Sequence, residues 1–190
     1  MSSSVGIYAS QISGHLTPPN SYASISTVTV GSGGASSITF SSIPSTYTHL
    51  QIRGIIRNDA SGGGGAEALL QFNSSTSNYV TLHQIYGSGS SAVSSADLTQ
   101  PSRIYPSFNP KSGTTANTFA GLVMDVLDYG NTNKNKTVRT LSGWDANGDG
   151  FIIFRSGLWM DTSAISSITI GMESTFNLAQ YSSFALYGVK

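Results

Sequence analysis

Charge is what this chain has least of: Asp, Glu, Lys and Arg make up 9% of its 190 residues, against roughly a quarter in an ordinary soluble domain. Nine basic residues balance nine acidic ones. No basic footprint exists for nucleic acid or an anionic membrane. So few ionisable groups also leave little from which to build an acid–base catalyst, and a non-enzymatic role is expected. Cysteine is absent, which excludes disulfides, thiolate metal sites and thiol catalysis. Residues Met1–Ile7 carry neither the basic nor the apolar region of a secretory signal. No run approaches the ~18 apolar residues of a membrane-spanning helix. The expectation is a soluble chain that does not use the general secretory route. Apolar residues at i, i+3, i+4 and i+7 are missing too, so no long amphipathic helix is predicted.

Ser, Thr and Gly fill the sequence between short β-branched and aromatic runs. From Tyr47 to Arg57, Leu50, Ile52 and Ile56 alternate with His49, Gln51, Arg53 and Arg57, and Ile55 is the exception. Further strands are predicted at 23–30, 37–41, 66–73, 79–86, 118–127, 136–143, 151–156, 165–173 and 182–189. Turn-rich clusters separate them, the pattern of an all-β sandwich or barrel. An antiparallel β-sandwich wound like a jelly roll is the first choice, an architecture common in capsid and lectin domains. A chain of this length buries about 70% of its unfolded surface and needs no staple. Residues 21–190 read as a single domain and residues 1–20, with Pro18 and Pro19, as an extended arm. The connection from Gly87 to Gly113 carries Pro101, Pro106 and Pro110, which predicts a crossover with at most a short edge strand. Gly62–Gly65 reads as a flexible hairpin tip.

Asp145, Asn147 and Asp149, followed by Gly150, match the first half of an EF-hand loop. The twelfth position is Ser156 rather than a bidentate Glu, and strand residues follow at once. A hairpin turn through Asn147-Gly148 or Asp149-Gly150 is the simpler reading, with calcium as a weak candidate. Gly87-Ser-Gly89 lacks the following helix and downstream acid of a dinucleotide fingerprint. His15, His49 and His83 have no metal-binding spacing. Asp125 and Asp128 fall on opposite faces by period two and do not mark a glycosidase pair, and no G-x-S-x-G elbow occurs. No catalytic residue, metal or cofactor is assigned. Tyr105, Phe108, Tyr129, Trp144, Trp159 and Tyr181 near loops and strand ends are either core or candidates for stacking on sugars or anchoring a protein contact. Asn73-Ser-Ser75 and Asn135-Lys-Thr137 match glycosylation acceptors, silent without a secretory route.

From Ser37 onward, Ile38-Thr-Phe40, Ile43-Pro44 and Tyr47-Thr-His-Leu-Gln-Ile-Arg53 occur in an order that resembles virion structural proteins of tailed bacteriophages, cyanophages especially. The likeness continues through Met124-Asp-Val-Leu-Asp-Tyr129 and Asn133-Lys-Asn-Lys-Thr137 to the closing Ser182-Ser-Phe-Ala-Leu-Tyr-Gly-Val-Lys190. This resemblance implies a virion component made in the host bacterial cytoplasm: a capsid decoration (cement) protein, or alternatively a tail or fibre-tip module that binds a host glycan. The implied partners are the major capsid protein or other virion proteins, with a homo-oligomer such as a trimer, and neither nucleic acid nor membrane. Tyr8, Ile12, His15 and Leu16 of the arm, with Tyr105 and Phe108, are the expected partner-binding residues.

Overall fold

The computed structural model describes residues 21–96 and 102–190. They form two antiparallel sheets packed as a β-sandwich, and no helix occurs among them. The larger sheet takes β1 (Tyr22–Thr29), β12 (Ser183–Val189), β3 (His49–Ile56), β8 (Ala120–Val126), β9 (Lys136–Asp145), β10 (Gly150–Trp159), β5 (Tyr79–Gly87) and β6 (Ala92–Ala96), in that spatial order. The smaller takes β2 (Ser37–Phe40), β11 (Ile168–Met172), β4 (Gly65–Phe72) and β7 (Phe108–Pro110). The chain alternates between the sheets, apart from the β8–β9–β10 meander and the β5–β6 hairpin.

Alternation in the sequence becomes layering in space because successive strand side chains point to opposite faces. Leu50, Ile52 and Ile56 of β3, Leu122 and Met124 of β8, and Phe184 and Leu186 of β12 are buried on the inner face of the larger sheet. They meet Ala68, Leu70 and Phe72 of β4 and Ile168 and Ile170 of β11. Phe72, Tyr79 and Trp159 form an aromatic knot. The Tyr79 hydroxyl accepts from the Phe72 backbone N–H at 2.7 Å, which ties the end of β4 to the start of β5. Burial raises the pKa of that phenol.

Two elements differ from the sequence expectation. The Gly62–Gly65 run is not a hairpin tip: it carries the chain from β3 in one sheet to β4 in the other. It is zipped against the 111–113 segment, with Lys111 N–H donating to Gly64 O and Gly113 N–H to Gly62 O. A Cβ at Gly113 would lie 2.5 Å from Gly62 O, so the missing side chain of Gly113 permits the close approach. Among its described residues the 87–113 connection holds two short strands rather than one. Both β6 and β7 lie at sheet edges, where Pro110 leaves no interior ladder bond unmade. Arg57, expected among outward polar residues, is buried. Its guanidinium donates to the carbonyls of Ser112, Thr114, Thr115 and Thr118 and holds the 112–118 loop in place.

Candidate functional site

The outer face of the larger sheet carries the feature that alternation alone does not explain. Its register aligns residues into rows that run across the strands. One row is Arg53 (β3), Val123 (β8), Leu141 (β9), Phe154 (β10) and Ile85 (β5), each directly opposite the next. Val123 is 41% exposed, Leu141 49%, Phe154 47% and Ile85 59%. These residues make a continuous apolar ridge on the solvent side of the sheet.

The adjacent row, two residues further along each strand, is Ile55, Gly121, Gly143, Ile152 and Gly87. With three of its positions lacking side chains, it forms a trough of about 1370 Å³ beside the ridge. Phe119 and the turns at 88–91 and 148–149 line its rim. The row on the other side of the ridge is polar: Gln51, Asp125, Arg139, Ser156 and His83. There Gln51 Nε2 donates to Asp125 Oδ1 at 2.9 Å, and Arg139 lies 3.8 Å from Asp125. The face is therefore banded into trough, apolar ridge and polar stripe.

The densest polar cluster lies inside the sandwich. Arg155 on the inner side of β10 is buried and makes a bidentate pair with Glu67 of β4, at 2.5 and 2.7 Å. Its Nε donates to Gln84 Oε1 at 2.8 Å, and Nη1 reaches the Tyr105 carbonyl. The Tyr105 hydroxyl donates to Glu173 Oε1 at 2.6 Å. Burial first, and this carboxylate second, raise the phenol's pKa above its ordinary value. Arg155 joins Gln84 along the larger sheet and reaches Glu67 and the Tyr105 carbonyl across the gap, so it clamps the two sheets together.

Lys136 is buried as well, like Arg57 and Arg155. Its Nζ donates to the carbonyls of Asn131, Lys134 and Thr162, at 2.5, 2.7 and 3.0 Å. Burial lowers its pKa. Nearby, Asp128 pairs with Lys134 at 2.7 Å, and its backbone N–H donates to His49 Nδ1. The Lys134 hydrogen bond holds the Asp128 carboxyl below its ordinary range. These contacts fasten the 128–136 turn rather than open a cleft.

The sequence candidates separate as follows. Tyr105 is buried and Phe108 half-buried, packed on Phe151 at 5.0 Å between ring centres. The burial of Tyr105 corrects its expected place on a partner surface. Tyr8, Ile12, His15 and Leu16 lie outside the described residues. Tyr129, Trp144 and Trp159 are core, whereas Tyr181 is exposed. Asn147 and Gly148 both have positive φ, the requirement of a type I′ turn. Asp145 Oδ1 accepts the Asn147 N–H, and Asp149 Oδ1 accepts the Gly150 N–H. Those carboxylates thus serve the turn itself. Among the described residues no cluster of His, Asp and Glu has metal-holding geometry. His49 and His83 do not converge, because four inter-strand steps separate β3 from β5, or about 19 Å.

Sequence reasoning missed the ridge and trough. Their signal is apolar residues at both parities of one strand, as in Leu122-Val123-Met124 and Phe151-Ile-Ile-Phe154, together with glycine inside strands. No protein-family model matches this chain, and no curated protein is significantly similar to it in sequence.

Proposed function

We propose that this chain is a non-enzymatic structural protein of a tailed-phage virion, a capsid decoration protein that stabilises the shell by protein–protein contact. The contact mechanism rests on one observation: the ridge of Val123, Leu141, Phe154 and Ile85 stands exposed on a rigid sheet. Contiguous apolar patches beyond a few hundred Å² mark interaction surfaces. The near absence of charge suits such a surface, because few ions must be desolvated on contact. Resemblance to phage virion proteins supplies the particle, and a jelly-roll-like winding belongs to the same reading. Quantitative mass spectrometry of purified virions tests it. A copy number comparable with that of the major capsid protein supports decoration, and absence from particles refutes it.

The trough favours a second reading, a tail or fibre-tip module that binds a host glycan. Phe119 and the serines at 88, 90 and 91 border it, giving an apolar wall and hydroxyls of the kind that sugars meet. A low copy number confined to tails, with a positive glycan array, selects this alternative.

A further inference from the structure

The outer face of the larger sheet is complementary to itself. We infer that two copies of this chain pack face to face through it, about a two-fold axis that crosses the strands midway between ridge and trough. Such a rotation lays each strand antiparallel over its own copy and exchanges positions equidistant from the axis. With the axis passing β9 at Ser142, Leu141 of one copy meets Gly143 of the other. The same operation sets Val123 over Gly121, and Ile85 over Gly87. On β10, Phe154 meets Ile152, apolar against apolar. The ridge of each copy fills the trough of the other, the isologous arrangement in which residue i meets j and j meets i.

On β9 the charges obey the same symmetry, while on β3 the operation sets Arg53, held by Gln51 and by the rings of Tyr22 and Tyr187, against Ile55. One position further out on β9, Arg139 of one copy faces Asp145 of the other, twice per dimer. Arg139 is half-exposed, with its nearest carboxylate 3.8 Å away, and Asp145, exposed at the far end of the strand, gives Oδ1 to the Asn147 N–H and keeps Oδ2 for the facing copy. The pairing is thus available on both sides of the axis. Fit follows from sheet geometry as well. The axis coincides with the direction about which a sheet twists, so the two copies twist in phase. Packed sheets stand about 10 Å apart, a gap one large residue against one glycine can fill. Val123, Leu141, Phe154, Ile85 and Ile152 are each 41–60% exposed side by side on one face, a contiguous apolar surface of the kind that marks an interaction site, and the 88–91 and 146–149 turns supply the polar rim of such an interface.

The inference rests on the outer face being a contact surface, not on the virion assignment. Sedimentation equilibrium of the full chain is the test, with a dimer as the expected mass. Leu141→Glu should give a monomer with an unchanged β-sheet circular dichroism spectrum, since that side chain points to solvent. Gly121→Val is the sharper variant. A Cβ there meets nothing within 4 Å, so the fold stands while the trough is filled, and dimer affinity should fall roughly tenfold or more. Arg139→Asp should weaken the dimer, and adding Asp145→Arg should restore it, which loss of the Asp125 contact alone cannot produce. A monomeric or trimeric wild type, undiminished affinity in Gly121→Val, or failure of the double swap to restore association would each overturn the inference. A monomer that still decorates particles would sink the dimer alone, whereas a dimer absent from virions would sink only the virion reading.

Discussion

Replacing Arg155 by Met should be among the most damaging single changes in the molecule. The guanidinium is buried and holds both carboxylate oxygens of Glu67 on the opposite sheet. Removing it takes from Glu67 its bidentate partner across the gap between the sheets, and breaking a buried pair from one side costs about 3–5 kcal/mol. Unfolding entropy of about 2.1 cal/mol/K per residue gives about 0.4 kcal/mol/K for a chain of this length. The expected fall in Tm is therefore about 8–12 °C. The pair itself is a different quantity, because two desolvated ions attract each other only about as much as their burial costs. Arg155→Met combined with Glu67→Leu should recover at least half of the deficit. Recovery stays incomplete because the bonds from Arg155 to Gln84 and the Tyr105 carbonyl are still lost, at about 1 kcal/mol each. Urea titration followed by fluorescence of the buried Trp144 and Trp159 gives both numbers. A single variant within about 1 kcal/mol of wild type, or a double variant no better than the single, would refute the reasoning.

Arg57→Met should release the 112–118 loop, whose carbonyls are gathered by one guanidinium; a loss of about 2–4 kcal/mol is expected, with proteolysis mapping the first cuts to that loop. Asp128 has a folded pKa below its unfolded one, so its contribution is present above the unfolded value and is lost as pH falls through the folded value. Asp128→Asn should therefore be less stable than wild type at neutral pH, and the two melting curves should converge as pH falls below the folded value, where the carboxyl is protonated in both states. Calcium should leave the melting temperature unchanged, since Asp145 and Asp149 already accept backbone N–H bonds within the turn; a rise on adding calcium that EDTA reverses would contradict the turn assignment. Gly188→Ala places a Cβ 2.3 Å from the Tyr47 ring and should destabilise the closing strand by about 1–3 kcal/mol, read as an earlier urea midpoint.

The strands were legible because each carries its own local pattern. Leu50, Ile52 and Ile56 alternate in sequence and are buried together, and the Asn147-Gly148 pair specifies its turn by backbone conformation alone. Partnerships between distant segments carry no such mark. Glu67 and Arg155 meet across 88 residues, and nothing near either one names the other. Tyr105 and Phe108 sit in a proline-rich connection that reads as surface, yet Tyr105 is buried and Phe108 packs on Phe151 where β7 pairs with β4. The outer face fell between these cases. Ile55 stood out as the one apolar residue on the polar side of its strand, and it lies in the same row as Gly121 and Gly143. That alignment exists only once β3, β8 and β9 are set in register, because a row belongs to the sheet and not to any strand. A sandwich needs only one apolar face per sheet to fold. Apolar residues that persist on the second face are therefore surplus to the fold of one copy, which is the physical reason to look for their partner outside it.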